Sequence, residues 1–167
     1  VLAVIPRTTG EAVWSADSRS LLYVKQDPET LRAYQVYRHE LGGSLPDELV
    51  FEEEDEIFDV SVEDSRTGAW LYIISSSKTS AEWRVLPAAN PHAEPRIFLA
   101  REPAHEYSLE DSGDAFFVLT NWNAANFRLL RAPHEGGLKS SWAEIVPHRI
   151  DTLLESIDCF STHFVLG

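Results

Sequence analysis

The chain has 167 residues, 27 of them acidic and 14 basic, which gives a formal charge of −13 and a pI near 4.8. That balance argues against a nucleic-acid surface, because neutralising phosphates requires clustered Lys and Arg. No stretch approaches the roughly 18 consecutive apolar residues of a spanning helix, so neither nucleic acid nor membrane is an expected partner.

The length suffices for one domain with a real core. The sequence begins at Val1, contains no methionine and stops at Gly167 partway through a repeat, so it is expected to be a piece of a longer chain. Cationic partners suit the negative charge, although solubility alone also accounts for it.

Taken in order, residues 11–17 form a short strand that ends where Asp17-Ser18-Arg19 supplies turn oxygens. The apolar run 21–25 follows, Asp27-Pro28-Glu29-Thr30 breaks it, and residues 35–41 make a third strand. Gly42-Gly43-Ser44 then turns the chain into a fourth, 48–52. A second set runs through 57–62, a polar turn at 63–68, 70–75, 82–86 and 96–99. A third runs through 106–109, the turn Glu110-Asp111-Ser112-Gly113-Asp114, 116–119, 127–130 and 143–146.

The second strands align as a repeat. Leu21-Leu22-Tyr23-Val24 stands over Trp70-Leu71-Tyr72-Ile73, Phe116-Phe117-Val118-Leu119 and His163-Phe164-Val165-Leu166, with third positions 49, 46 and 47 residues apart. Such a period belongs to propeller repeats. An Asp-Ser turn at Asp17, Asp64 and Asp111 is a second mark of it. Consecutive rather than alternating apolar residues mean that both sheet faces are covered, as they are between neighbouring blades.

The fold class is therefore all-β, a partial β-propeller of about three four-stranded antiparallel blades plus the start of a fourth. The blades are expected near residues 11–53, 56–102 and 104–149, with the next beginning at 152–167. A β-sandwich is the alternative that strand spacing leaves. Residues 152–156 are the one short segment compatible with a helix. Cys159, the single cysteine, falls in a strand and reads as a buried structural thiol.

The search for chemistry returns little. Gly42-Gly43-Ser44-Leu45-Pro46 has Pro where a nucleophile elbow needs its last Gly, and it lies in a hairpin turn. The six histidines lack metal-ligand spacing, so no metal and no cofactor is expected. Glu52-Glu53-Glu54-Asp55-Glu56 reads as a solvated loop between blades, with an electrostatic lure for basic peptides as its functional alternative. Asn121, Asn123 and Asn126 suit turn chemistry. Arg38-His39 and His148-Arg149 can each place one side chain on either face of a strand, and an Arg there often holds a carboxylate.

Several stretches resemble one family. They are Thr30-Leu31-Arg32 with Tyr34-Gln35-Val36-Tyr37-Arg38-His39-Glu40-Leu41-Gly42, then His105-Glu106-Tyr107-Ser108-Leu109, then Thr120-Asn121 with Asn126-Phe127-Arg128. Val146-Pro147-His148-Arg149 with Leu153-Leu154-Glu155 and Ile157-Asp158 is a fourth. Together they resemble the β-propeller of oligopeptidase B, a branch of the prolyl oligopeptidase family of serine peptidases.

The resemblance implies a seven-bladed, cytoplasmic propeller over a C-terminal α/β-hydrolase domain of the same parent chain, limiting entry to short peptides cut after Lys or Arg. No residue of that family's catalytic triad maps onto this sequence, so the piece is expected to be inactive alone. Arg38, His39, Asn121, Asn126, Arg128, His148 and Arg149 become candidate interface or channel residues. A propeller that binds proteins in a chain without peptidase activity is the alternative. Cut from its ring, the piece is expected to self-associate through apolar end blades.

Overall fold

The computed structural model describes residues 4–160 and 162–167, and these are almost wholly β. Three four-stranded antiparallel sheets follow one another, each a simple meander. The first holds β1 (Thr8–Trp14), β2 (Ser20–Gln26), β3 (Ala33–Glu40) and β4 (Glu48–Glu52). The second holds β5 (Asp59–Asp64), β6 (Trp70–Ser76), β7 (Ala81–Pro87) and β8 (Arg96–Leu99). The third holds β9 (Tyr107–Asp111), β10 (Phe116–Thr120), β11 (Arg128–Ala132) and β12 (Ala143–Val146). A hairpin of β13 (Ile157–Cys159) and β14 (Phe164–Leu166) begins the next unit. The arrangement is an open, partial propeller.

The middle sheet shows why β6 is apolar at consecutive positions from Trp70 to Ile74. Side chains alternate across a strand, so Leu71 and Ile73 of β6, with Leu86 of β7, turn toward Val13, Leu22, Val24 and Val36 of the first blade. Tyr72 and Ile74, with Trp83 and Val85, turn the other way and meet Tyr107, Leu109, Phe116 and Val118 of the third. Cross-strand pairs Leu71–Leu86, Tyr72–Val85 and Ile74–Trp83 keep each set on its own face. A one-residue slip would exchange the two faces.

Phe116 anchors the second interface. It is fully buried and meets Trp70 (5.3 Å between centroids), Phe98 (5.5 Å) and Tyr72 (6.1 Å) edge to face, the geometry that aromatic quadrupoles favour. Cys159 is buried as expected, and burial, followed by the charges of Glu110 and Asp111, pushes the thiol up to about 11.

Three sequence expectations change. No helix forms at 152–156: Thr152 bridges Arg149, and the short 3₁₀ turn lies at Lys139–Ser141. The Asp-Ser mark is misaligned, because Asp64 and Asp111 end strands whereas Asp17 sits inside a turn. The equivalent residues are Ser15, Ser65 and Ser112. Each closes its hairpin by donating its N–H to a carbonyl across the turn, of Ser20, Trp70 and Ala115, at 2.9 Å in every case.

The outer face of the first blade is not the bare apolar end expected. Tyr23 stacks on Tyr37 (5.9 Å), the Lys25 ammonium lies 4.1 Å from the Tyr37 ring centre, and Asp47 accepts from the Tyr23 hydroxyl at 2.7 Å. At the other end Phe160 and Val165 are about half exposed.

Phe116→Ala should cost about 3–5 kcal/mol by opening a cavity at the second interface. Its denaturant midpoint should fall with little change in slope, and a change below about 1 kcal/mol would show that the aromatic cluster re-packs.

Candidate functional site

The candidate face is built where the segments between blades pass the loops joining second to third strands. In the first blade Asp27 organises such a loop, its carboxylate accepting from the N–H of Glu29 (2.9 Å) and of Thr30 (2.8 Å) and from the Thr30 hydroxyl (3.0 Å). These donors hold its carboxyl below the usual carboxylate range. Leu31 then adopts a left-handed φ of 61°, and Arg32 departs toward the next segment. Its guanidinium donates to the carbonyls of Phe58 (2.9 Å), Glu53 (2.8 Å) and Asp55 (2.7 Å). The acidic linker is thus gripped by its backbone.

That grip sets a correction to the sequence reading. The run Glu52 to Glu56 is not uniformly solvated, because Glu53 is buried while Glu52, Glu54, Asp55 and Glu56 are exposed. Glu53 pairs with Arg101 at 2.5 Å, and Arg101 also reaches Glu82 (3.4 Å), which pairs with Arg84 at 2.7 Å. Phe58 stacks under Arg101 and Phe51 under Arg84, each 4.0 Å from ring centre to guanidinium carbon.

Alternating signs give each buried charge a partner, the condition for tolerating charge away from water. Burial alone would raise the Glu53 carboxyl, but Arg101 and the Asp55 N–H outweigh it and leave it lowered.

Beside this network a cleft of about 710 Å³ opens, with Asp27, Glu52, Glu54, Glu56 and Asp59 on its walls. Among the described residues Arg32 is the one basic residue of its lining, outnumbered by those five carboxylates, and its Nε and Nη2 groups are held on linker carbonyls. The field inside is therefore negative.

The remaining expected residues are dispersed. Arg38 is buried at the first interface, where it donates to the Pro91 carbonyl (2.5 Å) and to Glu48. His39 meets Asp47 at 2.8 Å. Asn121 accepts from the Glu106 N–H at 3.0 Å, and Asn126 donates to the carbonyls of Arg149 (3.1 Å) and Ile150 (3.0 Å), so both hold segments between blades.

Arg128 lies over Trp122 at 4.7 Å and reaches Glu144 at 3.3 Å. His148 is exposed, and Arg149 pairs with Asp151 at 3.0 Å. Only the acidic run belongs to the cleft. Arg32, Arg101, Glu82 and Arg84 were missed; the one signal for Arg32 was its place in Thr30-Leu31-Arg32.

Among the described residues the nearest approach to a nucleophile–base pair inside the blades is Thr120 with His105, at 2.9 Å. Both are buried, and the Thr120 oxygen also takes the Trp122 N–H. Burial, and then the Lys139 charge, hold His105 below the ordinary imidazole range despite nearby Glu102. A hydroxyl sealed in a core meets no substrate, so this pair is structural.

These features define a blade-built module, and comparison gives its family. Residues 3–167 match the family model described as prolyl oligopeptidase, N-terminal β-propeller domain, so the chain belongs to the prolyl oligopeptidase family. It is 37% identical to dipeptidyl aminopeptidase BI of Pseudoxanthomonas mexicana, over 93% of this chain and 22% of that protein.

Oligopeptidase B of Leishmania major superposes with a TM-score of 0.87 at 33% identity, over 96% of this chain and 23% of that one. Oligopeptidase B of Trypanosoma brucei gives 0.90 at 24% identity, over 99% and 24%, a likeness of fold. The chain spans under a quarter of the length of these relatives.

Removing Arg101 tests the charge network. Arg101→Met should cost about 3–5 kcal/mol, because it leaves Glu53 buried without its cation. Glu53 also sets a pH slope: with its folded pKa below the ordinary 4.5, its contribution is full above that value and is lost as pH falls through the folded one. Glu53→Gln should remove that part of the acid-side slope in unfolding midpoints measured from about pH 7 to pH 3.

Proposed function

We propose that this chain is part of the propeller of a serine oligopeptidase, where it gates and electrostatically steers short cationic peptides toward an α/β-hydrolase domain of the same parent chain, which cuts after Lys or Arg. The observation that carries the reading is the acidic cleft, where the carboxylates of Asp27, Glu52, Glu54, Glu56 and Asp59 outnumber Arg32, the one lining cation among the described residues. The likeness to Leishmania oligopeptidase B at 33% identity supports the choice within the family. A negative entrance raises the local concentration and on-rate of positive ligands, and the network beneath it holds its walls in place.

A second reading has its own support. The 37% identical relative is named a dipeptidyl aminopeptidase, and a propeller of this kind would serve equally above a domain that removes dipeptides. Assays of the full-length parent on an internal Lys- or Arg-containing peptide and on a dipeptidyl substrate separate the two.

In the parent enzyme, Glu54→Gln with Glu56→Gln should lower kcat/KM for a cationic peptide roughly two- to fivefold at low ionic strength and flatten its salt dependence. A neutral peptide should be unaffected. An unchanged salt profile would return these glutamates to the role of a solvated loop.

A further inference from the structure

The first two blades each hold the blade that follows in the same way. Arg38, on β3, is buried and donates to the Pro91 carbonyl at 2.5 Å, within the 88–95 loop that joins the third and fourth strands of the second blade. Arg96, on β8 of that blade, donates to the carbonyls of His134 (2.5 Å) and Glu135 (3.3 Å), within the corresponding 133–142 loop of the third. Both loops lie close on the blade before them. The Ala88 carbonyl accepts from the Ala16 N–H at 2.9 Å, and at Gly136, with φ 85°, an added Cβ would stand 3.1 Å from the Phe98 carbonyl.

Register gives these arginines a common place in the blade. Leu22, Tyr72 and Phe117 follow at the same interval the residues whose carbonyls close the first hairpins, Ser20, Trp70 and Ala115, and their partners on the third strand are Arg38, Val85 and Arg131. In the second blade Val85 leaves the guanidinium to its fourth-strand neighbour, Arg96. In the third blade the Arg returns, beside the short Ala143. Arg131 sits directly across from Phe117, so the two side chains leave the same face of the sheet. Phe117 there meets Phe164 of β14 at 5.2 Å between centroids, which turns that face toward the next blade.

Arg131 differs from Arg38 in what it holds. Its side chain is 40% exposed, against 6% for Arg38, and among the described residues its guanidinium meets only Asp114, itself 75% exposed, at 2.7 Å. An ion pair so open to water contributes little, and most of the guanidinium N–H donors are left for another acceptor. On the reading that this chain is part of a longer propeller, we propose that Arg131 is the docking point for a segment of the parent chain beyond Gly167: the loop joining the third and fourth strands of the blade that β13 and β14 begin. The grip is on main-chain carbonyls, because Arg38 and Arg96 take the carbonyls of Pro91, His134 and Glu135 and no side chain of the loops they hold. In each meander these loops lie at the opposite end of the strands from the acidic linker, so the clasp stands or falls apart from the steering role of Glu54 and Glu56.

Amide hydrogen exchange in the full-length parent tests the clasp. Arg131→Met should speed exchange in that loop and the strand ends it joins about tenfold or more, as the loss of hydrogen bonds from a charged donor implies, while β10 and β11 keep their protection. Arg131→Lys, which keeps the charge but not the planar fork, should speed it less. Asp114→Asn should leave the loop as it is in the wild type. Arg96→Met sets the scale, since it should open residues 133–142 by a similar factor.

Faster exchange in the downstream loop for Arg131→Met, without it for Asp114→Asn, assigns the clasp to the guanidinium and the next blade. Unchanged exchange in that loop for Arg131→Met overturns the proposal. Equal opening in Asp114→Asn also overturns it, by making the ion pair the contact that matters. The salt profile of the Glu54 and Glu56 variants decides the steering role separately.

Discussion

Two-sided burial of each sheet is the constraint on which the rest of the structure depends. A blade has no polar face to spare, since Leu71 and Ile73 pack into one neighbour as fully as Tyr72 and Ile74 pack into the other. Stability is consequently shared between blades, and the segments that join them must hold the correct distance and twist. That requirement places charged residues in unusual positions. Arg38 ties the first blade to the Pro91 carbonyl of the second, and Arg101 ties the linker after the second blade to Glu53 of the linker before it.

The recurrent devices are local and the specific ones are not. Ser15, Ser65 and Ser112 close hairpins within their own blades, and the left-handed Leu31 and Phe127 (φ 61° and 60°) each precede an Arg at or beside the start of a third strand. A repeat can carry such features wherever it is placed. By contrast Glu53 and Arg101 are 48 residues apart, and their pairing exists only because two blades stack.

This difference governs what the sequence made legible. Strand positions could be read because runs such as Trp70-Leu71-Tyr72-Ile73 admit no other use, and their spacing disclosed the repeat. The turn signature was misassigned because Asp17 lies inside the first turn, after Ser15, whereas Asp64 and Asp111 directly precede Ser65 and Ser112, so the shared Asp-Ser pair joined positions that are not equivalent. The buried fate of Glu53 was hidden among four other acids, for its partner is distant in sequence and composition treats all five alike. Arg32 was harder still, since its partners are carbonyls, and carbonyls have no sequence.

Arg32 recognises the linker by backbone alone, and this separates the shape of the cleft from its charge. Side chains at 54 and 56 can change from acid to base, or to neither, while the same three carbonyls remain in the same guanidinium fork. A cleft built on this device is free to alter its electrical sign without redesigning its walls, through substitutions that leave its backbone frame untouched.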